Sequence, residues 1–131
     1  MSKAILDAVK TRLYATASLT ALVGQRIYLN SADANSILPL VIFTAPEVRT
    51  TPYFGSVTRH EIDLEFQIQY GTSSGLDTYN VADAIATALS TPITVTGFDA
   101  ARATRTARGV PSFNDDGWTM IERWRVVAHD I

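Results

Sequence analysis

Apolar side chains near the start of the chain recur with the period of a helix. Ile5, Leu6, Val9 and Leu13 share one face, while Lys3, Asp7, Lys10 and Arg12 lie largely on the other. This pattern predicts a helix from Ser2, placed to cap it, to about Thr16. A second short helical turn, SLTALVG, follows, and Gly24 stands where a left-handed C-terminal residue is wanted. Arg26 to Leu29 reads as a brief strand, and Ser31 to Ser36 is polar and loop-like. After Pro39, the apolar run Leu40-Val41-Ile42-Phe43 has the pattern of a strand buried on both faces. From Pro46 to Thr58 the sequence predicts a long connection, PEVRTTPYFGSVT, holding two prolines, a glycine and the adjacent aromatics Tyr53 and Phe54.

The clearest segment runs from Glu61 to Tyr70. Ile62, Leu64, Phe66, Ile68 and Tyr70 alternate strictly with Glu61, Asp63, Glu65, Gln67 and Gln69. Such alternation predicts a long strand with one face on a core and one face in water, in an antiparallel or mixed sheet covered on one side. A helix capped by Ser73 or Ser74 then runs to about Ser90, with Leu76, Val81, Ala82, Ile85 and Leu89 as its apolar stripe and Asp77 in its first turn. Alanines at 82, 84, 86 and 88 keep it thin, and Thr91-Pro92 stops it. Three strands complete the chain: Ile93 to Val95, Ala101 to Arg108, and Trp118 to Ala128. The last two are joined by GVPSFNDDG, a connection with turn chemistry at Asp116-Gly117. The order α-β-β-β-α-β-β-β describes an α+β fold: one mixed, mainly antiparallel sheet with two helices packed on one face.

Composition narrows the class. The 131 residues, 47% hydrophobic and 18% charged, suit one domain spanning residues 1–131 and one ordinary core, not a disordered chain. A net charge of −2, with only two lysines and the arginines spread along the chain, disfavours tight electrostatic binding of nucleic acid. The absence of cysteine excludes disulfides, zinc-thiolate sites and thiol nucleophiles. Asp7 and Lys10 interrupt the apolar start, which is neither a signal peptide nor a membrane span. These features describe a soluble protein at home in a reducing compartment.

Gly71-Thr72-Ser73-Ser74-Gly75 matches the nucleophile elbow G-x-S-x-G, and Asp99 and His129 follow in the order of an α/β-hydrolase triad. Against this, the preceding strand is amphipathic and the chain has too few strand–helix units for a parallel sheet. His129 also stands close to the end, with nothing after it to lock its ring, so the expectation is a turn and a helix cap.

Glu61, Asp63 and Glu65 form a carboxylate row beside His60. Spacing by two on a strand sets them in a line, a poor cage for a hard cation, so a solvated face, or one paired to arginines on the next strand, is expected instead. Arg123 and Arg125 project together, and Arg102 and Arg108 share a parity on the strand before. The same rows would serve as complementary patches between subunits, and both readings stand. Trp124, Met120 and Val126 are expected in the core, whereas Glu122 shares their parity and conflicts with it. A bulge, an edge position or a subunit contact would resolve that conflict. Tyr53 and Phe54 either fold back under the sheet edge or dock onto another chain.

The run LTALVGQRIY, then LPLVIFTAPEV, the alternating strand ending in QIQYGTSSG, the helix YNVADAIATAL and the closing ERWRVVAHD together resemble the tail-completion, or tail-terminator, family of long-tailed bacteriophages. The likeness extends from about Ile5 to Ala128 and is most specific at Leu19 to Tyr28, Leu38-Pro39 and Arg123-Trp124-Arg125. It implies a structural protein without catalytic residues, cofactor or metal. That protein is a hexameric homo-oligomeric ring at the head-proximal end of the virion tail, assembled in the bacterial host cytoplasm. Its implied partners are the tail-tube protein below and a head-tail connector or stopper protein above. Genome DNA passes through without specific binding, and no membrane is involved. Gene transfer agents and defective prophages carry related elements.

Expected contact regions are the 46–58 segment with Arg49, Tyr53, Phe54 and Arg59, and the 109–117 segment with Phe113, Asp115 and Asp116. The strand rows Glu61, Asp63, Glu65, Arg123 and Arg125 complete the set. A second class of function remains beside this one: a small α+β dimeric ligand-binding module with a pocket between helices and sheet.

Overall fold

The computed structural model describes residues 2–31, 37–52, 55–71, 76–114 and 117–130. Helix α1 (Ser2–Ala15) buries Ile5, Val9 and Leu13, one residue per turn. The short turn after it is a helix in its own right, α2 (Ala17–Val23), which buries Leu19 and Val23. Gly24 closes α2 with φ of 62° and donates its N–H to the Thr20 carbonyl at 2.8 Å, a conformation that costs a residue without Cβ little.

Six strands make one sheet: β1 (Ile27–Leu29), β2 (Leu40–Pro52), β3 (Thr58–Tyr70), β4 (Arg102–Arg108), β5 (Ser112–Asn114) and β6 (Gly117–His129). Their spatial order is β1-β2-β3-β6-β4, with β5 also on β6. Only β1 and β2 run parallel; every other pair is antiparallel. The α+β architecture is as the alternation of polar and apolar residues predicted. On β3, Ile62, Leu64, Phe66 and Ile68 are buried against the helices, and on β6 so are Met120, Trp124, Val126 and Ala128. Phe43 of β2 stacks on Phe66 of β3, ring centroids 5.8 Å apart.

Several elements differ from expectation. The Pro46–Thr58 connection is mostly strand: β2 continues to Pro52 and pairs with β3 down to Thr58. A bulge between Thr44 and Glu47 absorbs Pro46, which is where a strand tolerates a missing N–H. Tyr53 and Phe54 lie outside the described residues, as do Ser73 and Ser74. Helix α3 (Leu76–Ala88) buries Thr78, Val81, Ala82, Ile85 and Ala88. Leu76 is 71% exposed, because two residues along a helix are about 200° apart and Thr78 holds the inward position. Ile93 to Val95 forms no strand; Ile93 makes a single antiparallel bridge with Ala101. The GVPSFNDDG connection contains β5, folded back on the start of β6.

Arg12 lashes α1 to the end of α3. Its guanidinium donates to the carbonyls of Ala88 (3.0 Å), Thr91 (3.2 Å) and Pro92 (2.9 Å) and to the Thr91 hydroxyl (2.9 Å). Those acceptors include the carbonyl end of the helix, where positive charge is favourable. Among the described residues, no helix is long and apolar enough to cross a membrane.

Candidate functional site

The helix-free face of the sheet gathers most of the residues expected to function. Asp63 stands opposite Arg125 and Glu65 opposite Arg123 in the β3–β6 ladder, while Glu61 pairs with Arg49 and Asp63 with Glu47 in the β2–β3 ladder. Arg49 is the hub. It forms ion pairs with Glu47 at 2.8 Å, Glu61 at 3.0 Å and Asp63 at 3.1 Å. Arg125 reaches Asp63 at 3.0 Å and Glu61 at 4.0 Å, and Arg59 reaches Glu61 at 2.8 Å. The hydrogen bond from Arg49, aided by one from Arg125, holds the Asp63 carboxyl below the ordinary carboxylate range. The Arg49 guanidinium, bonded first of all to Asp63, is raised in turn.

Two carboxylates of the row, Glu61 and Asp63, are therefore paired to arginines, and on both flanks rather than one. Arg49 sits in strand β2, not in a loop. Glu65 and Arg123 are register neighbours, yet among the described residues neither takes part in an ion pair. Asp115 and Asp116, like Tyr53 and Phe54, fall outside the described residues. Phe113 lies on β5, is 57% exposed, and meets Trp118 edge to face with centroids 5.1 Å apart.

The parity expected of Arg102 and Arg108 is overturned by a second bulge. Between Arg105 and Ala107 the ladder of β4 gains one residue, Thr106, while β6 advances only from Trp124 to Arg123. Arg102 therefore faces away from the helices, and Arg108 faces them. The same bulge resolves the conflict at Glu122, which is fully buried. Both Arg105 and Arg108 turn toward it, each 3.4 Å from Oε2, and Trp124 Nε1 donates to Oε1 at 3.1 Å. Arg108 also pairs with Asp83 of α3 at 2.9 Å and lies over the Tyr79 ring; Arg105 lies over the Trp124 ring. Sequence reasoning found the misplaced carboxylate. It missed the turn of Arg108 toward Glu122 because nothing marks the bulge that sends that residue inward; Arg105, which precedes the bulge, faces inward by plain alternation from Arg102.

The Asp99–His129 pair of the candidate hydrolase triad forms far from Gly71. Asp99 and His129 do meet: the His129 N–H donates to Asp99 Oδ1 at 2.7 Å, and Nδ1 is 3.1 Å from Oδ2, so the ring expected to be loose is held. However, His129 pairs with Arg59 at one end of β3, whereas Tyr70 and Gly71 are at the other end, about 36 Å away at roughly 3.3 Å per residue. Ser73 lies outside the described residues. The pocket of a ligand-binding module is likewise displaced. Phe43, Phe66, Leu13 and Ile85 fill the space between helices and sheet, and a groove of about 480 Å³ opens instead outside, between α1 and residues 93–96.

What the arrangement offers chemically is a charged, ordered surface on the helix-free face; Phe113, beside Trp118, is exposed at the end of the other face. A family model described as tail completion protein gp17 matches residues 7–116. The fold is similar to that of a chain in the virion of a native gene transfer agent particle, with a TM-score of 0.72 and 18% identity over 98% of this chain and 96% of that one. No curated protein matches.

Proposed function

The chain belongs to the tail completion protein gp17 family, structural proteins of the virion tail, and from that premise we propose that it closes the head-proximal end of the tail tube as a ring of copies. In this reading the ring, with six members, ends tube polymerisation and offers the surface on which the DNA-filled head docks. The tail-tube protein lies below it and a connector or stopper protein above. The family match over residues 7–116 carries the reading. The virion setting of the structurally similar chain supports it, since the two folds coincide over nearly their whole length.

The physical features are those such a part needs. A protein whose task is contact presents stable, differing surfaces, and here an ordered ion-pair lattice covers one side while three helices cover the other. A net charge of −2 lets DNA move past without being held. Tyr53 and Phe54, Asp115 and Asp116, and Phe113 are proposed contacts for the axial partners.

The test is electron microscopy of tails made in cells lacking this chain. The expected result is tubes of uncontrolled length without heads, with both defects corrected when the protein is supplied in trans. Tails of normal length joined to heads in its absence would overturn the assignment.

A further inference from the structure

The two margins of the sheet differ in charge. Strands β2 and β3 hold Glu47, Glu61, Asp63 and Glu65 against Arg49 and Arg59, a net charge of −2; β4 and β6 hold five arginines against Glu122 alone, a net charge of +4. Among the described residues both margins are open: strand β1 covers β2 only from Val41 to Phe43, which leaves Glu47 to Pro52 without a described neighbour on that side, and β4 has β6 on one side only.

Neither margin suits a continuous added strand. Pro46 and Pro52 remove N–H donors from β2, and bulges interrupt both β2 and β4. The two bulges flank the same central pair, Leu64 and Trp124, and a shallow trough of about 270 Å³ crosses the helix-free face between them, with Glu47 and Glu65 toward one margin and Thr106 and Arg123 toward the other. What these margins present is side chains. Glu47 is 59% exposed, and Arg49, its one cation among the described residues, is shared with two other carboxylates. Arg102 is exposed, projects from the same face, and takes part in no ion pair among the described residues.

We propose that a second copy of this chain lies beside the first with Arg102 on the β4 margin of one copy facing Glu47 on the β2 margin of the next. This rests on the ring reading above and names its lateral contact. Joining unlike margins makes a head-to-tail interface, the kind that closes into a ring at the right rotation. A two-fold contact would instead set β4 margin against β4 margin and Arg102 near Arg102, a like-charge clash that complementary patches avoid. Register permits the contact. Glu47 lies in the row Asp63–Arg125–Thr104, and Arg102 is two residues from Thr104, a diagonal step that long side chains span.

The experiment supplies full-length variants to cells making tails without the native chain and counts tails of normal length bearing heads, with circular dichroism confirming that each variant folds. Arg102→Glu and Glu47→Arg are each expected to lower that count at least about tenfold, because each sets like charges together. Producing both variants in one cell should restore it: in an even-numbered ring of alternating copies, every new carboxylate faces a new guanidinium and every original pair is kept. Normal counts with either variant alone, or no recovery when both folded variants are present, would overturn the contact while leaving the ring reading in place. Normal headed tails without any copy of the chain would overturn both.

Discussion

Trp124 donates its indole N–H to the carboxylate of Glu122, two residues earlier on the same inward face of β6, at 3.1 Å. The bond consumes one oxygen; the other stands 3.4 Å from both Arg105 and Arg108, ion-paired but without a hydrogen bond. Removing the carboxylate would leave Arg108 with Asp83 alone and Arg105, partly buried, without an ionic partner among the described residues. Glu122→Ala is therefore expected to destabilise the fold by about 3–5 kcal/mol. Glu122→Gln keeps an acceptor for Trp124 and is expected to cost about 1–3 kcal/mol. Urea denaturation with a common slope separates the two.

The Arg49–Asp63 pair predicts a pH dependence. Because Arg49, and after it Arg125, holds the Asp63 carboxyl below its ordinary value, folding favours the charged form. That contribution is complete above the unfolded carboxylate value, near pH 4, and is lost as pH falls through the lower folded value. Asp63→Asn is expected to be less stable than the parent at neutral pH, and the difference should shrink toward zero in acid. Thermal unfolding of both proteins from pH 7 to pH 2 measures it. A gap that stays constant with pH would show that Arg49 does not act through the charge of Asp63.

Legibility in the sequence followed physical range. Elements whose cause is local were readable: the strict alternation from Glu61 to Tyr70, the helical spacing of Ile5, Val9 and Leu13, and Gly24 after Val23. The facing of Asp63 and Arg125 was readable as well, since alternation alone placed both on wet strand faces; Arg49, expected in a connection, was not. Bulges were not. Pro46 looked like the end of a strand because a strand seen alone cannot lose an N–H, whereas in the sheet an extra residue opposite β3 absorbs it. Likewise Thr106 carries no mark of the bulge that reverses the facing of Arg108 and brings it to Glu122.

Arg12 joins two elements distant in the chain through four acceptors around the end of α3. Arg12→Ala is expected to cost about 1–2 kcal/mol, and Arg12→Lys to recover only part, because an ammonium cannot spread donors across separate carbonyls as a guanidinium does. Loss of amide protection at Leu89 and Ser90 in hydrogen exchange, ahead of the strands, would locate the effect at the helix end. Equal loss everywhere would contradict it.

Phe113 packs on Trp118 by one ring edge and is otherwise exposed. Phe113→Ser should cost only about 0.5–1.5 kcal/mol of stability, the worth of one aromatic contact. If it touches an axial partner, the same variant should sharply reduce head joining at a temperature where the protein is fully folded. A variant that folds and joins heads normally would remove Phe113 from the contact surface.

Two glycines that look alike in sequence are expected to respond oppositely to alanine. Gly109, just past β4, lies so close to β6 that a Cβ there would run into the Ile121 carbonyl oxygen, which the ladder holds in place. The backbone must move for alanine to fit, at a cost of about 1–3 kcal/mol. Because β4 supplies Arg105 and Arg108 to Glu122, the shift should also weaken that buried cluster. Gly71, the first glycine of the G-x-S-x-G match, has open space around the same position. Gly71→Ala is expected to be neutral or to stabilise by up to about 1 kcal/mol, through the lower entropy of the unfolded chain. Paired denaturation curves test both. A larger loss at Gly71 than at Gly109 would mean that close approach of the backbone at β4 does not set this part of the sheet.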